Sequence, residues 1–191
     1  MKVKDGRVLR KNRHARSPTY FDCEMPSLVV DRRRPGAGYR HVVRKDDIRR
    51  FVKLLPDWAE LSIGLNAIVL ATGNENCLGW HRPGVVAICA WERELVWDDC
   101  EPSFYRDHAE VFDKLNIPFR ESTDGIVVDF TNSTARAFLL IHVLIHELGH
   151  HHDRMTTRSK RRSSRGEGFA EAYARRFEDV VISRYRQTFS D

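Results

Sequence analysis

The chain has 191 residues, 41% hydrophobic and 31% charged, which suits a globular protein with one well-buried core. Its net charge of +5 is unevenly spread: residues 1–16 and 154–165 carry +6 each, leaving −7 for the rest. The longest apolar run, Ala137 to Ile145, is too short to span a bilayer, and the basic start "MKVKDGRVLRKNRHAR" lacks the apolar stretch of a secretory signal, so no membrane association and a cytoplasmic location are expected.

In chain order, residues 1–24 form a polar, basic arm expected to be poorly ordered, and 25–191 form one domain. Pro35, Gly36 and Gly38 make 32–40 a loop. "KDDIRRFVKLLPDW" has Ile48, Phe51, Val52 and Leu55 at helical spacing, with Asp46 or Asp47 to cap it and Pro56 to end it. "LSIGLNAIVLAT" (61–72) and "GVVAICAW" (84–91) are apolar and β-branched. They read as a long antiparallel hairpin or neighbouring strands, linked by the turn-rich "GNENCLGWHRPG". A short helix is expected around 103–115 and a third strand at 125–130. After a cap at Asn132 or Ser133, a helix runs from about Thr134 to Asp153, and a last one from about Gly168 to Arg186. Phe169, Ala172, Tyr173, Phe177, Val180 and Val181 mark the apolar side of that last helix. Strands grouped before two closing helices predict an α+β domain with a small antiparallel or mixed sheet. Cys23, Cys77, Cys89 and Cys100 form no C-x-x-C pair, so reduced thiols are expected and Cys89 reads as a core residue.

The stretch "HVLIHELGHHHD" (142–153) carries the chemistry. His146-Glu147-Leu148-Gly149-His150 is H-E-x-x-H, and residues four apart share one helix face. His146 and His150 can therefore point at one Zn²⁺ ion, while Glu147, one position along, can act as general base on a water at that ion. A catalytic zinc takes three protein ligands. Asp153, Glu167 and Glu171 are the downstream candidates. Asp153 stands close to the helix end, where reaching back is awkward. Glu167 and Glu171 lie four apart at the start of an amphipathic helix; one can bind metal while the other accepts the free ring N–H of a ligand histidine. His142, one turn before His146, can line the cleft, bond Glu171, or sit satisfied in the core. His151 and His152 turn away from the ligand face and read as surface or loop-contact residues.

"HELGHHHD" followed by "EGFAEAYA" resembles the active site of the gluzincin metallopeptidases. It is similar to the compact minigluzincins and to the catalytic lobe of anthrax lethal factor. The likeness covers roughly residues 136–178. It implies a zincin-like fold with an active-site helix followed by a glutamate helix, one zinc ion, and hydrolysis of a peptide or protein substrate. Carried over by position, His146, His150 and Glu167 are the ligands, Glu147 is the base and proton shuttle, and Glu171 is the acid behind the ligands, held to His146. Gly149 and Ala170 match small positions where the two helices approach closely. The family also implies an exposed edge strand that pairs with extended substrate. "GVVAICAW" is the candidate, with an interior strand as the alternative.

One departure is plain. The lethal-factor pattern has a tyrosine shortly before its third ligand, able to stabilise an oxyanion, whereas residues 154–166 hold neither Tyr nor His. Arg165 is the nearest donor, followed by Tyr173 and His152. The departure keeps a second reading open: a protease-like regulatory or partner-binding protein with a zinc site and little general proteolysis. Residues 1–16 and 154–165 leave nucleic-acid contact open, although no recognised module or aromatic interleaving accompanies them. If 154–165 rims the cleft, its charge would favour acidic substrates.

Overall fold

The computed structural model describes residues 2–4, 7–9, 18–123, 125–158 and 165–189, without the side chains of 2–4, 7–9 and 99. Strands β1 (Lys2–Lys4) and β2 (Arg7–Leu9) form a small antiparallel hairpin. The rest of the expected N-terminal arm up to residue 17 lies outside the described residues. Tyr20 is anchored to the domain: it is buried, and its hydroxyl donates to Asp31 Oδ2 at 2.6 Å.

The principal sheet is four-stranded and mixed, in the order β3 (Val29–Arg32), β5 (Ala67–Ala71), β7 (Val85–Cys89), β6 (Gly79–Arg82). The first three are parallel and β6 returns antiparallel. β5 and β7 are neighbours, as one of the two expectations held, but they are parallel and not a hairpin. β6 comes from the segment expected to be a turn-rich link. β7 is therefore interior, and β6 is the edge strand on that side; the edge-strand expectation for "GVVAICAW" is corrected. The continuous apolar character of β5 and β7 follows from burial on both faces. Ile68, Leu70, Val86 and Ile88 face the main core, while Ala67, Val69, Val85, Ala87 and Cys89 pack under Tyr20.

The helix expected to end at Pro56 does so. α1 (Lys45–Phe51) continues as a 3-10 turn to Leu54, and α2 (Trp58–Leu61) starts afresh. Pro56 forces the preceding residue out of the helical region, and Leu55 is extended. At the start of α1, Asp47 accepts the Arg44 backbone N–H at 2.7 Å. A two-stranded pair, β4 (Tyr39–Arg40) with β8 (Trp91–Glu92), lies beside the main sheet. β9 (Val96–Cys100) leads into α3 (Pro102–Lys114), and β10 (Phe119–Ser122) and β11 (Gly125–Asp129) complete an antiparallel sheet of order β10-β11-β9.

The two closing helices position the site. α4 (Asn132–Phe138) is capped by Thr131, one residue before the expected cap, whose hydroxyl accepts the Thr134 N–H at 3.0 Å. A π-helical turn, Leu139–Val143, joins α4 to α5 (Leu144–Thr156). α6 (Gly166–Thr188) returns alongside α5. Its buried face is Ala170, Tyr173, Ala174, Glu178, Val181, Ile182 and Tyr185, so the expected stripe is rotated and Ala172 and Val180 are exposed. The result is a mixed α+β domain whose core is filled by Phe51, Trp91, Phe112 and Phe138 together with the apolar face of the α4–α5 run.

α5 and α6 meet at small residues. A Cβ on Gly149 would lie 3.0 Å from Ala170 Cα and 3.1 Å from Tyr173 Cβ, with backbone on one side and no room to yield. Gly149→Val should therefore destabilise the fold by about 1–3 kcal/mol through overpacking, despite valine's better helix propensity. Urea unfolding of the metal-free protein measures this, and an unchanged midpoint would show that the helices are free to part.

Candidate metal centre

α5 presents His146 and His150 on one face, and the first turn of α6 brings Glu167 opposite them. Glu167 Oε2 lies 3.1 Å from His146 Nε2 and 3.3 Å from His150 Nε2. Zinc bonds of ~2.0–2.1 Å at tetrahedral angles separate ligand atoms by ~3.3 Å; both glutamate–histidine separations match that spacing, and all three ligand atoms lie within 4.8 Å of one another, so the donor set suits one such ion. These three form the one group of three or more His, Cys, Asp or Glu side chains among the described residues whose ligand atoms converge in this way. Both imidazoles are largely withdrawn from solvent, whereas Glu167 is 81% exposed. One side of the triad therefore stays open to a small molecule.

Glu171, one turn along α6, lies behind the ligands. Its Oε2 is 3.4 Å from His146 Nδ1, at ion-pair distance but short of a formed hydrogen bond, and its Oε1 accepts from Arg175 Nε at 2.9 Å. The His146 imidazole, with His142 and Arg175, holds the Glu171 carboxyl down at about 2 against the opposing effect of burial. At His146, burial lowers the affinity for a proton, but Glu171, Glu147 and Glu167 together override it and raise the pKa. At His150 burial prevails and the shift is downward.

Glu147 is buried and pushed up to about 7, chiefly by burial, with His146 pulling it down and Glu167 pushing it further up. Its room comes from β6: a Cβ on Gly79 would sit 2.8 Å from Glu147 Oε1 and 2.8 Å from Val143 Cγ1. Glu147 thus fills the gap between the active helix and the edge strand. A cleft of about 1030 Å³ opens beside it. Its walls include His142, His146, Glu147, Glu167 and Glu171, and also Tyr39, Trp91, Trp97 and Phe104, which the sequence did not single out. The signal for that aromatic floor was weak, because those residues come from four separate segments.

Other sequence candidates fall elsewhere. Asp153 is not a ligand. It is fully buried and accepts the Arg165 backbone N–H at 2.8 Å and Arg165 Nε at 2.7 Å, so it clasps the start of α6. Arg165 is thereby occupied: its guanidinium also bonds Thr156 Oγ1 at 2.7 Å and stacks 3.6 Å over Phe169. Neither Arg165 nor Tyr173 is in the cleft lining, which corrects both as cleft donors. Tyr173 packs against His152, Phe169 and Phe177. His152 lies in that aromatic stack, on the side of α5 away from the triad. His151 is a buried loop contact and not a surface residue, 3.0 Å from the Ile63 carbonyl oxygen. Residues 159–164 of the basic loop lie outside the described residues.

No protein-family model matches this chain, and neither a curated protein nor a solved structure matches it. No described helix is long and apolar enough to cross a membrane.

His81, on β6, sits with its ring centroid 6.3 Å from His150 and 6.0 Å from His151, and its buried Nε2 has no hydrogen-bond partner. Burial, reinforced by the imidazoles of His151 and His150 and by Arg154, pushes it down to about 4. The fold excludes the proton that the unfolded chain accepts near pH ~6.5. The unfolded state therefore binds more protons, and stability falls as pH drops from ~6.5 toward 4. In His81→Gln this acid-side slope should be shallower, as read from urea midpoints of the metal-free protein at pH 7 and 5. An identical slope would count against the assignment.

Proposed function

We propose that this chain is a zinc-dependent peptidase of the gluzincin type, with a zincin-like fold. The observation that carries the reading is the convergence of His146, His150 and Glu167 ligand atoms within 4.8 Å of one another, beside a buried Glu147 at the head of a cleft. When bound there, a divalent cation supplies Lewis acidity toward a carbonyl and makes water a nucleophile near neutral pH. Glu147 takes the proton of the attacking water and hands it to the leaving amine. Its place beside the ligands, one position from His146 and closed off from bulk water, suits that exchange. Glu171 orients the His146 ring from behind, and Gly79 leaves room for the Glu147 carboxyl beside the edge strand. The free side of β6 offers extended substrate a strand to pair with along the cleft.

Metal analysis and peptide hydrolysis test the assignment together. Glu147→Gln should keep one zinc per chain and lose ~10²–10⁴-fold in hydrolysis of an unstructured peptide. Glu167→Ala should lose the zinc. A wild-type chain that takes up no zinc, or a Glu147→Gln variant that still hydrolyses normally, would overturn the reading.

The described cleft wall also bears on substrate charge. Beyond the triad region it carries Glu75, Glu92, Glu101 and Asp107. Arg175, the one arginine or lysine in that lining, is tied to Glu171 Oε1 at 2.9 Å and to the Asp107 carbonyl at 3.2 Å. The field of the described cleft wall therefore attracts cations, while residues 159–164 of the basic loop, on which the acidic preference was conditional, lie outside the described residues. Peptides with Lys or Arg near the scissile bond should be cleaved faster at low salt. Replacing Glu75 and Glu92 together by Gln should cost about 5-fold in kcat/KM on such peptides and flatten the salt dependence. Equal rates on acidic and basic peptides in the wild type would exclude this preference.

A further inference from the structure

Behind the metal centre lies a second polar layer that hydrolysis alone does not require. His142 is 4% exposed and sits among Leu139, Leu140 and Ile141. Its Nδ1 is 2.8 Å from Glu178 Oε1, and Glu178, on α6, is 1% exposed. The far side of Glu178 meets Lys114 Nζ at 3.4 Å, and that ammonium is also held by Glu110 at 2.7 Å and Asp179 at 2.9 Å. The other ring nitrogen of His142, Nε2, faces Glu171 Oε2 at 3.7 Å. A continuous line of groups thus runs Lys114–Glu178–His142–Glu171–His146 and ends at the imidazole that offers Nε2 to the metal.

Two independent features mark this layer. Buried carboxylate–imidazole pairs are poor sources of stability, since apolar residues of the same volume usually do as well or better. The π-helical turn, Leu139–Val143, also falls on His142 itself. Such a turn takes an extra residue into the helix and is common at functional sites. His142, within that turn, faces Glu178 and Glu171 on α6, while His146, in the helix that follows, faces Glu167 and Glu171. The ring is held edge and face by His108, at 4.9 Å and 77°, and by Phe138, at 5.3 Å and 8°.

We propose that the His142–Glu178 pair is a positioning device for the metal centre. It fixes the Glu171 carboxylate, and through it the ring orientation of His146, so that Nε2 is already aimed when the cation arrives. Neither residue belongs to the ligand triad of His146, His150 and Glu167. The inference rests on the reading that His146, His150 and Glu167 hold a cation, and it adds the layer that tunes that site.

The test is a competition titration of Co²⁺ or Zn²⁺ into the full chain, run beside thermal melts of the metal-free protein. The double variant His142→Phe with Glu178→Met replaces the pair by apolar side chains. It should melt at or above the wild-type temperature yet bind metal ~10–100-fold more weakly, the usual effect of removing an outer hydrogen-bonding partner. Its bound Co²⁺ should show a shifted visible spectrum. A variant with unchanged affinity and spectrum overturns the proposal, and so does one whose only change is a lower melting temperature. Should that variant fail to fold, the milder Glu178→Gln decides through a double-mutant cycle with Glu171→Gln. The affinity lost on Glu178→Gln should vanish once Glu171 is already replaced, because the effect travels through it. An equal loss in both backgrounds overturns the proposal. A wild-type chain that binds no cation overturns the metal reading along with this one, whereas metal-binding variants equal to a metal-binding wild type overturn this one alone.

Discussion

The close approach of α5 and α6 at Gly149 and Ala170 is the constraint on which the site depends. Two of the candidate ligands belong to one helix and the third to the other, so the geometry of the triad is the geometry of a helix–helix contact. Side chains of ordinary size at that crossing would push the axes apart, and interaxial spacing varies with contact residues over ~8–10 Å. A shift of an ångström there exceeds what a metal's bond lengths tolerate. The two small residues keep the distance short, and Tyr173 and Leu148 pack around them. Packing in the core thus sets coordination at the surface, and the same contact brings Glu171 and Glu178 to the buried histidines of the α4–α5 run.

Much of this could be read in the sequence where the signal was local and periodic. The spacing His146–His150 and the spacing Glu167–Glu171 each follow from helical geometry alone, and both pairs face one another in the fold. The segment order led to an α+β arrangement for the same reason. What stayed hidden was non-local. Parallel pairing of β5 with β7 leaves no mark in either strand, because a strand buried on both faces looks the same whatever its neighbour's direction. β6 was masked by Gly79 and Pro83, residues that read as turn signals. Gly79 is a glycine for a different reason, since it must give way to Glu147. Glu178 was hidden within an apolar stripe. It lies two turns beyond Glu171 on the same face, where an acid makes sense only once His142 is known to point inward.

Charge is arranged against a gradient of burial. Glu167 is open to water and meets two imidazoles, Glu147 is closed off and inclined to hold a proton, and Glu171 is pinned in its ionised form by its cationic neighbours. Three carboxylates within one small region thereby acquire three different characters from their surroundings alone, the general means by which a protein divides acid, base and ligand roles among like side chains. The acidic cleft wall extends this field outward. Among the described residues, Arg175 is the one arginine or lysine in that wall.

The clasp between Asp153 and Arg165 has a consequence for how such a site is recognised. The buried carboxylate, together with Thr156, fastens the last turn of α5 to the start of α6 and so holds Glu167 opposite His146 and His150. Loop-closure entropy grows only logarithmically, by about 0.6 kcal/mol for each doubling of length. A longer link between the second histidine and the glutamate therefore costs little in entropy, like slack in a rope tied at both ends. A search for proteins of this design would do better to specify the knots, a buried Asp near the close of one helix and an Arg ahead of the next, than to count the residues between them.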